Sequence, residues 1–444
     1  MKKFANRLVG YITWPVSKFL QHGMLGGVLL LTATIIAFFW ANSPFAESYD
    51  NLLHTPVSLS IASFQLNNTL AHWINDGLMA IFFFVVGLEI KRELLVGELC
   101  DRKKALLPAV AALGGMIVPA ILYTLFNFGG PTSSGWGIPM ATDIAFAVGV
   151  MVVLGKRIPA PLKIFLLALA IFDDMGAIIV IAVFYTGSIH FVNLIIAAII
   201  LIGSTFLNYI GVRRTLPYSL LGVALWLVLL NSGIHATIAG VLLAMTIPSR
   251  SRTGSTEFIC NAGKMIEEFP DKEVYIMVVD EKQREVMKNM QVCIEDLNTP
   301  LQRLEDGLYG VANYVIVPLF ALANAGVSVF HGTTEITLLH PISIGVILGL
   351  VLGKPAGIFL FTLVSAKIGL TRLPENVTKL QIWSIGCLGG IGFTMSLFVT
   401  NLAFQDAAYM DQAKVSILIA SLISAILGST LFLLLGNNAG KKSE

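Results

Sequence analysis

Long apolar stretches, each closed by a short polar or basic segment, set the pattern of this chain. Stretches near 24–42, 69–90, 105–126, 136–155, 161–185, 191–211, 216–231, 234–248, 303–326, 341–366, 379–402 and 412–435 recur along its length. They approach or exceed the roughly 20 residues a helix needs to cross a hydrocarbon core of about 30 Å. A membrane β-barrel would instead alternate in segments of about ten residues, and that period is absent. The pattern therefore predicts an all-α polytopic membrane protein with twelve transmembrane helices. Two connections have a character of their own. "PVSLSIASFQLNN" alternates at Val57, Leu59 and Ile61 and again at Phe64 and Leu66, which predicts a short external β-hairpin at about 55–67. A lone hairpin is marginal in water, so it is expected to lean on a partner surface. The segment 249–302 reads as a soluble insertion with one amphipathic helix, because Val286, Met287, Met290, Cys293, Ile294 and Leu297 fall on one stripe.

Composition sharpens this picture. Of 444 residues 56% are hydrophobic and only 13% charged, with a mean hydropathy of +0.79, which excludes a soluble protein that must cover its surface with polar groups. The basic start "MKKFANRLVG" precedes an apolar stretch too long for a signal core, so an uncleaved first helix is expected. All 29 basic residues except Lys354 and Lys414 fall at the termini or in alternate connections, such as Lys91 to Lys104 and Arg250 to Arg303. That one-sidedness places both termini and the insertion in the cytoplasm. In a bacterial-style chain the membrane is then the inner, or plasma, membrane. The layout is a cytoplasmic N-terminus 1–23, spans one to eight over 24–248, the cytoplasmic insertion 249–302, spans nine to twelve over 303–436 and a cytoplasmic tail 437–444. Four cysteines show no metal-ligand or disulfide spacing. Membrane lipid is the expected partner, and nucleic acid is not.

Four charges interrupt the apolar spans: Asp143, Asp173, Asp174 and Lys354, each about halfway along its span. An ionised group at mid-membrane costs about 2.5 to 3.5 kcal/mol, so they must meet one another or water. A helix-pairing salt bridge would use one acid and Lys354 and leave two acids unexplained. Adjacent helical residues point about 100° apart, so Asp173 and Asp174 divide the labour: one faces a neutralising partner and the other a watery cavity. Carboxylates this close resist simultaneous ionisation, so the same oxygens hold either protons or a small cation. Oxygen-only, anionic ligation suits a hard ion such as Na+ or Li+, which makes Asp173 and Asp174 the candidate Na+ ligands.

The chain also marks where helices break. "GWGIPMATDIAF" sets Gly135, Gly137 and Pro139 ahead of Thr142 and Asp143 in span four, and "GCLGGIGFTMS" sets four glycines ahead of Thr394 and Ser396 in span eleven. Irregular backbone at that depth survives only when covered by protein or lining a cavity. The two spans run in opposite directions, as expected of inverted repeats with two broken, crossing helices. Half-helix ends carry about half a unit of charge; Asp143 would balance the N-termini and Lys354 the C-termini.

"WINDGLMAIFFFVVGLEIKREL", "ATDIAFAVGV", "LKIFLLALAIFDDMGAIIVIAVFYT", "SGIHATIAGV", "PLFALANAGVS", "GKPAGI" and "GIGFTMS" together resemble the bacterial NhaA family of sodium/proton antiporters. The likeness runs from about residue 20 to 436 apart from the insertion, which departs from the shorter connection usual in that family. It implies twelve helices in inverted repeats and extrusion of Na+, and Li+, in exchange for protons by an electrogenic, pH-regulated, alternating-access mechanism. Asp174 would bind the cation and Asp173 would pair with Lys354 or help to bind it. Asp143 and Thr142 would stand at the crossing. Glu89, Glu305 and His235 would belong to pH regulation, although Asp306 and Tyr309 stand where histidines of such proteins are found. The outer hairpin would make a homodimer. The transported ions are Na+, Li+ and H+; no cofactor is implied and the protein would be no enzyme. A cation channel would need a pore, usually symmetric, and an intramembrane aspartyl protease needs acids on separate helices facing one peptide bond. The acids lie asymmetrically within one chain, unlike a symmetric channel, and adjacent Asp173 and Asp174 fit a protease badly, which ranks a cation channel and then a protease as the alternatives to exchange.

Overall fold

Helices form where the apolar runs lie and stop where capping or breaking residues stand. The computed structural model describes residues 25–61, 64–251, 253–269, 281–328, 337–373 and 377–440. The basic N-terminal segment, the hairpin tip, the middle of the insertion and the last four residues of the tail lie outside the described residues. Helix α1 (Leu25–Ala41) turns by 113° into α2 (Ala46–His54). Strands β1 (Pro56–Ile61) and β2 (Phe64–Thr69) pair antiparallel, with Pro56 opposite Thr69 and Leu59 opposite Leu66. There follow α3 (Leu70–Val96), α4 (Arg102–Asn127), a 3-10 segment (Ser133–Met140), α5 (Ile144–Leu154), α6 (Ala160–Phe184), α7 (Phe191–Ile210), α8 (Thr215–Leu230) and α9 (Ile238–Thr246). After the insertion helices α10 (Ser255–Glu267) and α11 (Glu281–Leu297) come α12 (Pro300–Asn324), α13 (Pro341–Lys367), α14 (Lys379–Gly389), α15 (Phe393–Ala403) and α16 (Ala407–Gly440).

Among the described residues, eight helical stretches are long and apolar enough to cross a membrane, or ten if each of two bent pairs is one span. Two elements escaped the sequence reading. Helix α2 is short and polar, so no span-length run announces it; its Tyr49 hydroxyl donates to the Leu322 carbonyl at 2.7 Å. Among its described residues the insertion holds two helices rather than one. In α10, Gly263 and the weak helix formers Cys260 and Asn261 blur a signal that packing against α11 restores.

The chain forms two compact units, one from Met1–Phe82, Glu93–Ser188 and Gly310–Glu444, the other from Phe83–Arg92 and Ile189–Tyr309. In the first, Leu107, Val148, Met151, Phe165, Leu169, Ile358, Leu388 and Phe432 form a buried core that joins α4, α5, α6, α13, α14 and α16. Helices α4 and α13 approach closely at Gly114 and Gly357. A Cβ on Gly114 would lie 2.6 Å from Phe361 Cγ, so only hydrogen fits there, in keeping with small residues at membrane helix interfaces. In the second unit, Phe84, Leu88, Leu225, Leu229, Leu243 and Leu301 make a separate core. Asp101 caps α4 by accepting from the Lys103 amide at 3.0 Å, and Thr378 with Gln381 forms a capping box at α14.

Candidate functional site

Both interrupted segments lie in the first unit, and they meet. The 3-10 segment ends at Met140, and Ala141 to Asp143 run extended before α5 starts. Helix α14 ends at Gly389, and α15 starts at Phe393 after a bend of 50°. Broken backbone leaves carbonyls and amides that must find partners away from water. The Asp143 amide donates to the Ile391 carbonyl at 2.7 Å. Thr142 Oγ1 donates to the Gly389 carbonyl at 2.9 Å, and Ser396 Oγ to that of Ile138 at 2.8 Å. Each break thus satisfies the other.

Asp143, only 1% exposed, accepts at both oxygens. Oδ1 takes the Phe146 amide at 2.9 Å, an N-cap of its own helix α5. Oδ2 takes the Thr394 amide at 3.0 Å and the Thr394 hydroxyl at 2.6 Å. Because Gly392 has no side chain with which to cap α15, Asp143 caps that half-helix from outside, and Ser421 Oγ takes the Phe393 amide at 3.2 Å. One carboxylate therefore faces two helix N-termini, where negative charge is favoured. Tyr123 and Tyr185 hold the 3-10 segment: Tyr123 donates to the Thr132 carbonyl and Tyr185 to that of Ser134, at 2.8 and 2.7 Å.

Asp173 and Asp174 sit mid-way along α6, 1% and 2% exposed. Lys354, fully buried, follows a π-helical turn (Gly349–Gly353) in α13. Its Nζ lies 2.9 Å from Asp173 Oδ2 and also donates to the Met140 carbonyl, where the 3-10 segment ends. Thr142 Oγ1 lies 2.5 Å from the same carboxylate oxygen. Asp173 Oδ1 accepts no hydrogen bond among the described residues. Asp174 is the next residue along α6, buried beside the Asp173–Lys354 pair. Asp143, Thr142, Asp173, Asp174 and Lys354 thus share one buried polar cluster in the first unit.

Glu89, Glu305 and His235 lie in the second unit. Glu305 Oε1 accepts from Arg92 Nε at 2.8 Å, and His235 Nδ1 is 2.7 Å from Thr237 Oγ1. The sequence offered no sign of the Met140 and Gly389 carbonyls, because any residue type supplies one. Thr394 was visible beside the glycines, but its bond to Asp143 spans 251 positions.

A family model described as "Na+/H+ antiporter 1" matches residues 17–432. The chain belongs to the Na+/H+ antiporter 1 family. Relatives agree over nearly their whole length. A "Na(+)/H(+) antiporter NhaA" of Sulfurimonas denitrificans is 44% identical, with 96% of this chain and 97% of that protein covered. "Na(+)/H(+) antiporter NhaA 1" of Clostridium beijerinckii is 43% identical at the same coverage, and "Na(+)/H(+) antiporter NhaA 2" of Sorangium cellulosum 46% identical, covering 95% and 90%. With several apolar helices of spanning length, the chain is a multi-pass membrane protein.

Proposed function

We propose that this protein is a secondary antiporter that extrudes Na+, and Li+, in exchange for protons across the bacterial inner membrane. The observation that carries the reading is the buried Asp173–Lys354 pair beside Asp174, held against two interrupted helices. The names of the relatives support sodium/proton exchange.

The proposed cycle uses competition at one site. Asp174 binds Na+ through its carboxylate and gives up its proton when the ion arrives. Asp173 either pairs with Lys354 or adds an oxygen to the ion, so the second proton leaves from Asp173 or from Lys354. Asp143 and Thr142 hold the crossing: the carboxylate offsets the half-helix N-termini, and the Lys354 ammonium offsets the carbonyl end at Met140. The assembly rocks, and protons on the far side expel the ion. Because one set of oxygens serves both ligands, coupling is competition, and Na+ affinity falls as the solution becomes more acidic. Exchange of two protons for one Na+ moves net charge, so a membrane potential contributes about 2.3 kcal/mol per charge per 100 mV.

The full proposal has twelve spans, counting each bent pair once and including α8 and α9, in inverted repeats with both termini cytoplasmic. The β-hairpin is the proposed homodimer contact, and Glu89, Glu305 and His235 are the proposed pH-regulating groups. The test is a proteoliposome carrying an imposed pH gradient. Na+-dependent collapse of the gradient is expected, together with proton release from purified protein on Na+ addition. Conduction without proton coupling would indicate a channel, and Na+ binding that is equally tight at acid and alkaline pH would overturn the competitive site.

A further inference from the structure

A second polar chain crosses the first unit, away from the carboxylates. Asn324, the last residue of α12, is 3% exposed. Its Nδ2 donates to Asn75 Oδ1 at 2.7 Å and to the Phe320 carbonyl at 2.8 Å, and its Oδ1 accepts from Asn401 Nδ2 at 2.6 Å. Three side-chain amides on α3, α12 and α15 are thus joined end to end. Buried amides in a membrane protein are costly unless satisfied, and apolar side chains would join these helices more cheaply.

Each of the three positions is structurally special. Asn75 lies within a π-helical turn, Trp73–Leu78, a feature frequent at functional sites. Asn324 ends its helix. Asn401 stands two turns beyond Thr394 on the half-helix that Asp143 caps, about 10 Å along its axis. Beside Asn75, the His72–Asp76 pair at 3.3 Å has side chains 46% and 18% exposed; Asn75 and Asn401 are half-buried, and Asn324 between them is nearly closed off. His72 follows the β-hairpin by only a few residues, so this end faces outward in the proposed orientation.

We infer that the Asn75–Asn324–Asn401 bridge is the external seal of the transport path, closed in this structure and broken when the site opens outward. The inference rests on the alternating-access reading. Neutral amide bonds suit a seal because each contributes little net stability and reforms without stranding a charge. Movement of α15 links the seal to the crossing, since Thr394 and Asn401 share that short helix.

The test compares half-saturating Na+ at the two faces, in right-side-out and inside-out vesicles at one pH. A broken seal favours the outward state. Asn324→Ala is therefore expected to lower the half-saturating external Na+ and raise the cytoplasmic value, each by about fivefold. Asn75→Ala, which leaves the Asn324–Asn401 bond, is expected to shift both values the same ways by less, and it serves if Asn324→Ala does not fold. A bridge that only braces the fold would lower the maximal rate and leave the two values unmoved or moving together, and that result overturns the seal. Wild-type protein that exchanges no Na+ for protons overturns the antiport reading itself, whereas a normal wild type with unshifted variants overturns the seal alone.

Discussion

Asp143 and Asp173 are the same residue type, buried to the same degree within one unit, yet their surroundings prepare them for different work. Asp143 uses both oxygens on an amide of its own half-helix and on the amide and hydroxyl of Thr394. Every donor is neutral and two of the three are backbone amides, so the carboxylate is tied into the fold. Asp173 uses one oxygen on Thr142 and a charged Lys354, and its Oδ1 is left without a hydrogen bond among the described residues. A buried acid is a structural cap when helix ends satisfy it. It is available for exchange when its partner is another titratable group and part of its capacity is unused.

Substitutions test that contrast. The largest effect is expected from Asp174→Asn, which should abolish Na+-driven proton movement in proteoliposomes and Na+-triggered proton release while leaving the protein folded; a wild-type rate would remove Asp174 from the site. Next, Lys354→Met strands the Asp173 charge and should cost about 3 to 5 kcal/mol, read as thermal unfolding in detergent. Adding Asp173→Asn should recover most of that stability without restoring exchange. If the double variant unfolds as readily as the single, the ion pair is not what the lysine contributes. Asp143→Ala orphans three donors and should destabilise by on the order of 2 kcal/mol or more. Its folded fraction should still release protons to Na+ with the full wild-type amplitude; loss of that release would merge the two acids into one function. The smallest effect is expected at Thr142, where Val removes a hydroxyl shared between Asp173 and Gly389 and should change half-saturating Na+ by about fivefold, with Thr142→Ser near wild type.

Much of the fold was legible because a bilayer imposes a simple rule: a helix that crosses it must be apolar, and any charge inside it stands out. Asp143, Asp173, Asp174 and Lys354 could be found that way, and the glycine-rich breaks marked where backbone groups would need partners. Helix α2 and helix α10 could not, being too short or too weak in local preference to outweigh neighbouring signals.

The sequence by itself determined that the chain is helical and membrane-spanning, and which rare charges had to find company. Only the tertiary structure decided the company. It gave Lys354 to Asp173 and to the Met140 carbonyl, gave Asp143 to Thr394, and linked Asn75, Asn324 and Asn401. The physical reason is that burial cost belongs to each residue alone and can be read position by position. Pairing depends on the directions of backbone and side-chain groups far apart in the chain, which are set only when the helices pack.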